Sequence, residues 1–194
     1  MENNKNLLYF VTGNRDKFNE ILKSFQKENL NYNLKQLNLD TYEIQADTIK
    51  EVALFKLNSV KKKINNSFFV EDAGFFVDKP LNGFPGVFSS YVFKTIGNEG
   101  ILKLINDFES TEAHFVAVIV LYFKALEKIL LFVGNVKGKI SKTMRGKGGF
   151  GFDPIFIPDI IQDKTFAELS IEEKNKISHR GKALKKLISF LKEN

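Results

Sequence analysis

Strand-like and helix-like patterns alternate through the first third of this 194-residue chain. LLYFVTG, residues 7–13, is an apolar run that reads as a buried strand entering a loop. Phe18, Ile21, Leu22 and Phe25 then recur at helical spacing and predict a helix over 15–29. NYNLKQLNLD alternates apolar and polar residues as a strand does, and Ile49, Val52, Ala53, Leu54, Leu57, Val60 and Ile64 outline a second amphipathic helix. SFFVED, residues 67–72, returns as a strand. A strand-helix-strand-helix-strand order predicts an α/β fold in which part of the sheet is parallel. Further along, AHFVAVIVLYF and KILLFVGNVKGKI are β-branched and aromatic runs separated only by KALE, the pattern of a long antiparallel hairpin. The expected fold class is therefore α/β with a mixed β-sheet and flanking helices. At 43% hydrophobic residues the chain can bury one core, so a single domain over 1–194 is expected. Near its end Ser178 is placed to cap a helix with the apolar stripe Ala183, Leu184, Leu187, Ile188 and Leu191.

Composition narrows the chemistry. With no cysteine there is no disulfide framework, thiolate zinc site or thiol nucleophile, and two histidines make a poor basis for a histidine-built metal site. Any metal must rest on oxygen ligands. The net charge of +6 favours polyanionic partners such as nucleotides, nucleic acid or phosphorylated metabolites, although Lys-, Asn- and Phe-rich usage also follows from an AT-rich genome. The apolar run at Leu7–Val11 is too short for a signal-peptide core or a membrane span, and a cytoplasmic protein is expected.

Four motifs carry the chemistry. TGNRDK, residues 12–17, joins the first strand to the first helix: Gly13 eases the turn, amides of Asn14, Arg15 and Asp16 lie at the helix start, and Lys17 projects from its first turn. That layout suits a triphosphate, and equally an Asn-capped turn. In VEDAG the neighbouring carboxylates Glu71 and Asp72 are either a structural turn or hard oxygen ligands for Mg²⁺, to which Glu43 in YEIQ can add another oxygen. Along a strand the two side chains point to opposite faces, so only one of the pair can turn to any given ligand. GKGGFGFDP, residues 146–154, sets glycines beside Phe150, Phe152 and Asp153, either to let backbone and rings approach a flat base or simply as a hairpin loop. EEKNKISHRGKAL gathers Lys174, His179 and Arg180 just before and at a helix start, where cations are electrostatically unfavourable unless they face a ligand.

Taken in order, TGNRDK, EDAGFFVDKPLNGFPGVFSSYV, GFGFDPIFIPD, TFAEL and EEKNKISHRGKAL resemble the motifs of the non-canonical purine nucleoside triphosphate pyrophosphatase family, also called inosine/xanthosine triphosphate pyrophosphatases, over almost the whole chain. The resemblance implies an elongated mixed sheet with two lobes around a central cleft and a homodimer. It implies hydrolysis of ITP, dITP and XTP to the monophosphate and pyrophosphate with Mg²⁺, or Mn²⁺ as its substitute. It maps phosphate binding to Thr12, Gly13, Asn14, Arg15, Asp16 and Lys17, metal binding to Glu43 and Asp72, and the proton acceptor to Asp72, with Lys17 as its catalytic companion. The base pocket falls on Phe150, Gly151, Phe152, Asp153, Lys174, His179 and Arg180. One position departs: Ala73 stands where the family commonly has Ser or Thr, so a hydroxyl that touches phosphate is missing and only the backbone N–H remains. Donors from His179 and Arg180 would pair with a 6-keto purine and leave a buried mismatch against ATP. Two other readings stand beside this one: a pyrophosphatase of modified pyrimidine triphosphates, and a non-catalytic nucleic-acid-binding protein suggested by VKKKI and GKALKKL.

Overall fold

The computed structural model describes residues 6–42, 44–161 and 163–194. Its elements run β1 Asn6–Val11, α1 Arg15–Lys27, β2 Tyr32–Leu37, α2 Ile49–Val60, β3 Ser67–Lys79, β4 Phe84–Gly86, α3 Ser89–Thr95, α4 Gly97–Leu104, β5 Glu112–Phe123, β6 Lys128–Ile140, β7 Phe156–Pro158, α5 Ile171–Ile177 and α6 His179–Glu193. Among the described residues seven strands form one sheet in the order β2-β1-β3-β5-β6-β7, with β4 added on β3. β1 is parallel to both β2 and β3, as the crossovers through α1 and α2 require, while β4 on β3 and β7 on β6 are antiparallel. β5 and β6 are neighbours joined by residues 124–127, a connection only an antiparallel hairpin allows, and Glu127 closes it in the left-handed region at φ 50°. The mixed α/β sheet expected from the sequence is thus present.

By its internal packing the chain divides into two compact units. The first comprises Met1–Asp72, Val118–Val133 and Ala183–Asn194. Leu8 and Phe10 of β1, Ile21 and Phe25 of α1, Leu57 and Val60 of α2 and Phe68 and Phe69 of β3 form its buried interior, in which Phe10 stacks on Phe69 with centroids 4.6 Å apart. Burying each such ring contributes roughly 1.5–3 kcal/mol. α6 lays Leu184, Leu187, Ile188 and Leu191 inward, the stripe read from the sequence.

The second unit comprises Ala73–Ala117 and Gly134–Lys182. Its centre is aromatic: Phe75, Phe115, Phe152, Phe156 and Phe166 are all buried and meet in stacked and edge-on pairs. The strand that the sequence ends at Asp72 instead continues as β3 to Lys79, because Phe75, Phe76 and Val77 pair with Gly86, Pro85 and Phe84 of β4. VEDAG is therefore mid-strand, not a strand end running into a loop. Pro85 and Gly86 belong to that short β4, and α3 begins after them at Ser89.

Candidate active site

In the first unit, β1 delivers the chain to TGNRDK. The Thr12 amide donates to the Leu37 carbonyl at 3.1 Å and Gln36 Nε2 donates to the Thr12 carbonyl at 2.9 Å, so the loop starts from a pinned point. Asn14 caps α1, its Oδ1 accepting from the Lys17 amide at 3.0 Å, and its own amide donates to Thr12 Oγ1 at 3.1 Å. Gly13 is not in the left-handed region; a Cβ there would sit 3.1 Å from Asn38 Oδ1, so close approach rather than a strained turn favours glycine. Arg15 and Asp16 are exposed on the first turn.

Alternation along β3 turns Glu71 and Asp72 to opposite faces, and each meets its own lysine. Lys17 Nζ lies 2.7 Å from Glu71 Oε2, and Lys56 Nζ on α2 lies 2.9 Å from Asp72 Oδ1. Burial pushes the Asp72 carboxyl above its ordinary range; Lys56 and then Lys17 pull it down, and Glu71 adds to the upward push. Asp72 Oδ2 is buried and has no hydrogen-bond donor among the described residues. A buried carboxylate oxygen without a donor is costly unless something else occupies it, and a hard cation fits such an atom. Among the described residues no three metal-ligating side chains are gathered, and Glu43, assigned with Asp72 to the metal, lies outside the described residues. Ala73, half-buried, follows Asp72 in the strand and shares the face of Glu71.

The second unit assembles the other motifs. In the loop between β6 and β7, Asp153 is buried and accepts from the Phe150 amide and from Lys174 Nζ, each at 2.7 Å. Gly149 stands at φ +67° with its α-carbon facing Asp153 Oδ2, where any Cβ would collide. Lys174 Nζ and the Arg180 guanidinium lie 5.0 and 5.2 Å from the centroid of the Phe150 ring, which is half-buried. His179, buried, stacks on Phe115 at 4.5 Å. Ser178 joins the two last helices: its amide donates to the Lys174 carbonyl and its Oγ accepts from the Gly181 amide, which fixes His179 and Arg180 at the first turn of α6. Asn98 Nδ2 on α4 donates to the Gly151 carbonyl at 3.1 Å.

Set against known proteins, residues 8–190 match the model of the Ham1 family. The chain belongs to the Ham1 family. It is 49% identical over 187 residues to the dITP/XTP pyrophosphatase of Thermococcus kodakarensis, a match covering 96% of this chain and 98% of the relative. It is 45% identical over 190 residues to the dITP/XTP pyrophosphatase of Pyrococcus horikoshii, covering 96% and 97%. Its fold is similar to the Ham1 protein structure of Staphylococcus aureus, with a TM-score of 0.81 at 30% identity over 96% of this chain and 98% of that one. The HAM1 structure from Coxiella burnetii gives a TM-score of 0.84 at 30% identity, covering 97% and 100%.

Two side chains of this Ham1 chain stand differently from the sequence reading. Phe152, grouped there with the base pocket, points into the aromatic core, stacked on Phe75 at 4.8 Å and edge-on to Phe93. Asp153, grouped there as well, has its carboxylate engaged by Lys174 and the Phe150 amide. Lys56 was missed altogether. Its signal was the apolar stripe of α2, in which Ile49, Val52, Ala53, Leu57 and Val60 are buried and Lys56 takes a stripe position.

Proposed function

We propose that this chain hydrolyses dITP, ITP and XTP to the nucleoside monophosphate and pyrophosphate in the presence of a divalent cation, Mg²⁺ or Mn²⁺ in its place. The observation that carries this reading is Asp72, a buried carboxylate with one oxygen on Lys56 and the other without a donor among the described residues. Asp72, together with Glu43, would hold the cation, and the all-oxygen donor set suits Mg²⁺. Once bound, Mg²⁺ supplies neutralisation of phosphate charge. When ionised, the four side chains Lys17, Glu71, Lys56 and Asp72 sum to no net charge, so a triphosphate needs that extra positive charge.

The remaining steps belong to the chain's own groups. The amides of Arg15 and Asp16 at the start of α1 would face phosphate oxygens, and Lys17 draws charge from them. Asp72 accepts the proton of a water aligned for attack at the α-phosphorus, and pyrophosphate leaves. With Ala73 in place of a hydroxyl residue, phosphate contact there is limited to the backbone N–H. Base recognition rests on the second unit: Phe150 offers a ring face above Lys174, and His179 and Arg180 offer donors toward a 6-keto oxygen. Adenine presents an amino donor at that position, and each buried group left unpaired costs roughly 1–3 kcal/mol.

The reading includes a homodimer, supported by exposed Phe88, Tyr91 and Ile96 along α3 and at the start of α4. It includes a cytoplasmic location, supported by the nucleotide substrate; no described helix is long and apolar enough to cross a membrane. The test is pyrophosphate release from dITP, ITP, XTP, dGTP, dATP and modified pyrimidine triphosphates, with Mg²⁺ and with EDTA. Preference for dITP and XTP that vanishes in EDTA is expected. Equal turnover of dATP, preference for a pyrimidine, or undiminished rates in EDTA would each overturn its part of the proposal.

A further inference from the structure

One residue stitches the Gly-rich loop carrying Phe150 to the segment 163–168. Arg145 donates to Glu168 Oε2 from Nε at 3.0 Å and from a terminal nitrogen at 2.8 Å, and that same terminal nitrogen donates to the Asp163 carbonyl. Its main chain is held as well: its amide donates to the Pro154 carbonyl at 2.9 Å and its carbonyl accepts from Thr165 Oγ1 at 2.9 Å. Immediately after it the loop lies against the same segment, since the Gly148 amide donates to the Ala167 carbonyl at 2.9 Å and a Cβ on Gly146 would collide with the Ala167 main chain.

The segment 163–168 is a firm anchor. Phe166 is fully buried against Phe115 and Phe156, and Glu168 Oε2 also accepts from the Thr165 amide at 2.7 Å. The Thr165 amide, and after it Arg145, holds the Glu168 carboxyl below its ordinary range, so this acceptor is fully anionic at neutral pH. A guanidinium suits the place because its planar fork donates in several directions at once, which an ammonium cannot reproduce.

We propose that Arg145 is a positioning residue for base recognition, holding residues 146–153 so that the Phe150 ring, backed by the buried Asp153–Lys174 pair, presents one fixed face to the purine. The inference rests on the assignment of those residues to the base made above. Arg145 acts through the loop and leaves the phosphate chemistry of Lys17, Lys56 and Asp72 untouched.

The test compares the wild type with Arg145→Ala, Arg145→Lys and Glu168→Gln in steady-state turnover of dITP and dATP, and in inhibition by inorganic tripolyphosphate, which probes the phosphate end alone. Arg145→Ala is expected to raise KM for dITP about tenfold with kcat within about twofold, and to shrink the preference for dITP over dATP. Tripolyphosphate inhibition stays at the wild-type level, Arg145→Lys fails to restore KM, and Glu168→Gln raises it. Equal losses for dITP and dATP, or tripolyphosphate inhibition weakening in step with KM, would overturn the proposal. Should Arg145→Ala not fold, Glu168→Gln decides: a wild-type KM overturns the proposal and a raised one upholds it. A wild type without preference for dITP over dATP removes the base assignment and this inference together, whereas a preference that survives intact in Arg145→Ala removes the inference alone.

Discussion

Asp72 is caught between burial, which favours the neutral acid and prevails, and the proton-acceptor role proposed for it, which needs the anion; Lys56 at 2.9 Å offsets only part of the upward push. Asp72→Asn keeps the shape and removes the proposed base, so pyrophosphate release from dITP should fall by a factor on the order of 10²–10⁴. Lys56→Met leaves a buried carboxylate without its counter-charge and should lower the unfolding free energy by roughly 3 kcal/mol, read from urea midpoints. The pH dependence has a definite sign. Because the folded Asp72 holds its proton to higher pH than the unfolded chain does, stability in EDTA should fall as pH rises from the ordinary Asp range to the raised folded value. Asp72→Asn should remove that slope from the urea midpoints. Asp72 is legible in the sequence through the motif that carries it, and strand alternation separates it from Glu71. Lys56 shows only as a cation at a stripe position of α2; its partner is sixteen residues away and no local pairing rule marks it.

At the scale of elements the decisive piece is the loop between β6 and β7. Gly149→Ala forces a side chain into the left-handed region and against Asp153 Oδ2, so it should destabilise by about 1–3 kcal/mol and raise KM for dITP, checked by thermal melts and kinetics. The sequence shows that this loop carries glycines, rings and a carboxylate, but not which ring faces inward. Phe150 and Phe152 sit two apart in irregular backbone, where neither the helical nor the strand period applies, and only tertiary packing against Phe75 and Phe93 sends Phe152 to the core. Helices α1, α2 and α6 and the β5–β6 hairpin are long and strongly patterned, and so were legible. β4 and β7 have three residues each and exist through their pairing with β3 and β6, which no local pattern reports.

Across the whole molecule, the α/β class follows from the early alternation and the mixed sheet from one hairpin, both local signals; the division into two units is not local, since each collects distant stretches of chain. Tyr91 is 69% exposed on α3, and Tyr91→Lys should shift the sedimentation profile toward the monomer if that face joins two copies. The wealth of phenylalanine has an optical consequence. With 20 Phe, 5 Tyr and no Trp the protein is dark in the indole emission window, so Phe150→Trp would install a lone fluorophore beside Lys174 and Arg180. If Phe150 takes the base as proposed, the indole emission would report purine stacking directly, without turnover, and stay constant when tripolyphosphate alone is added.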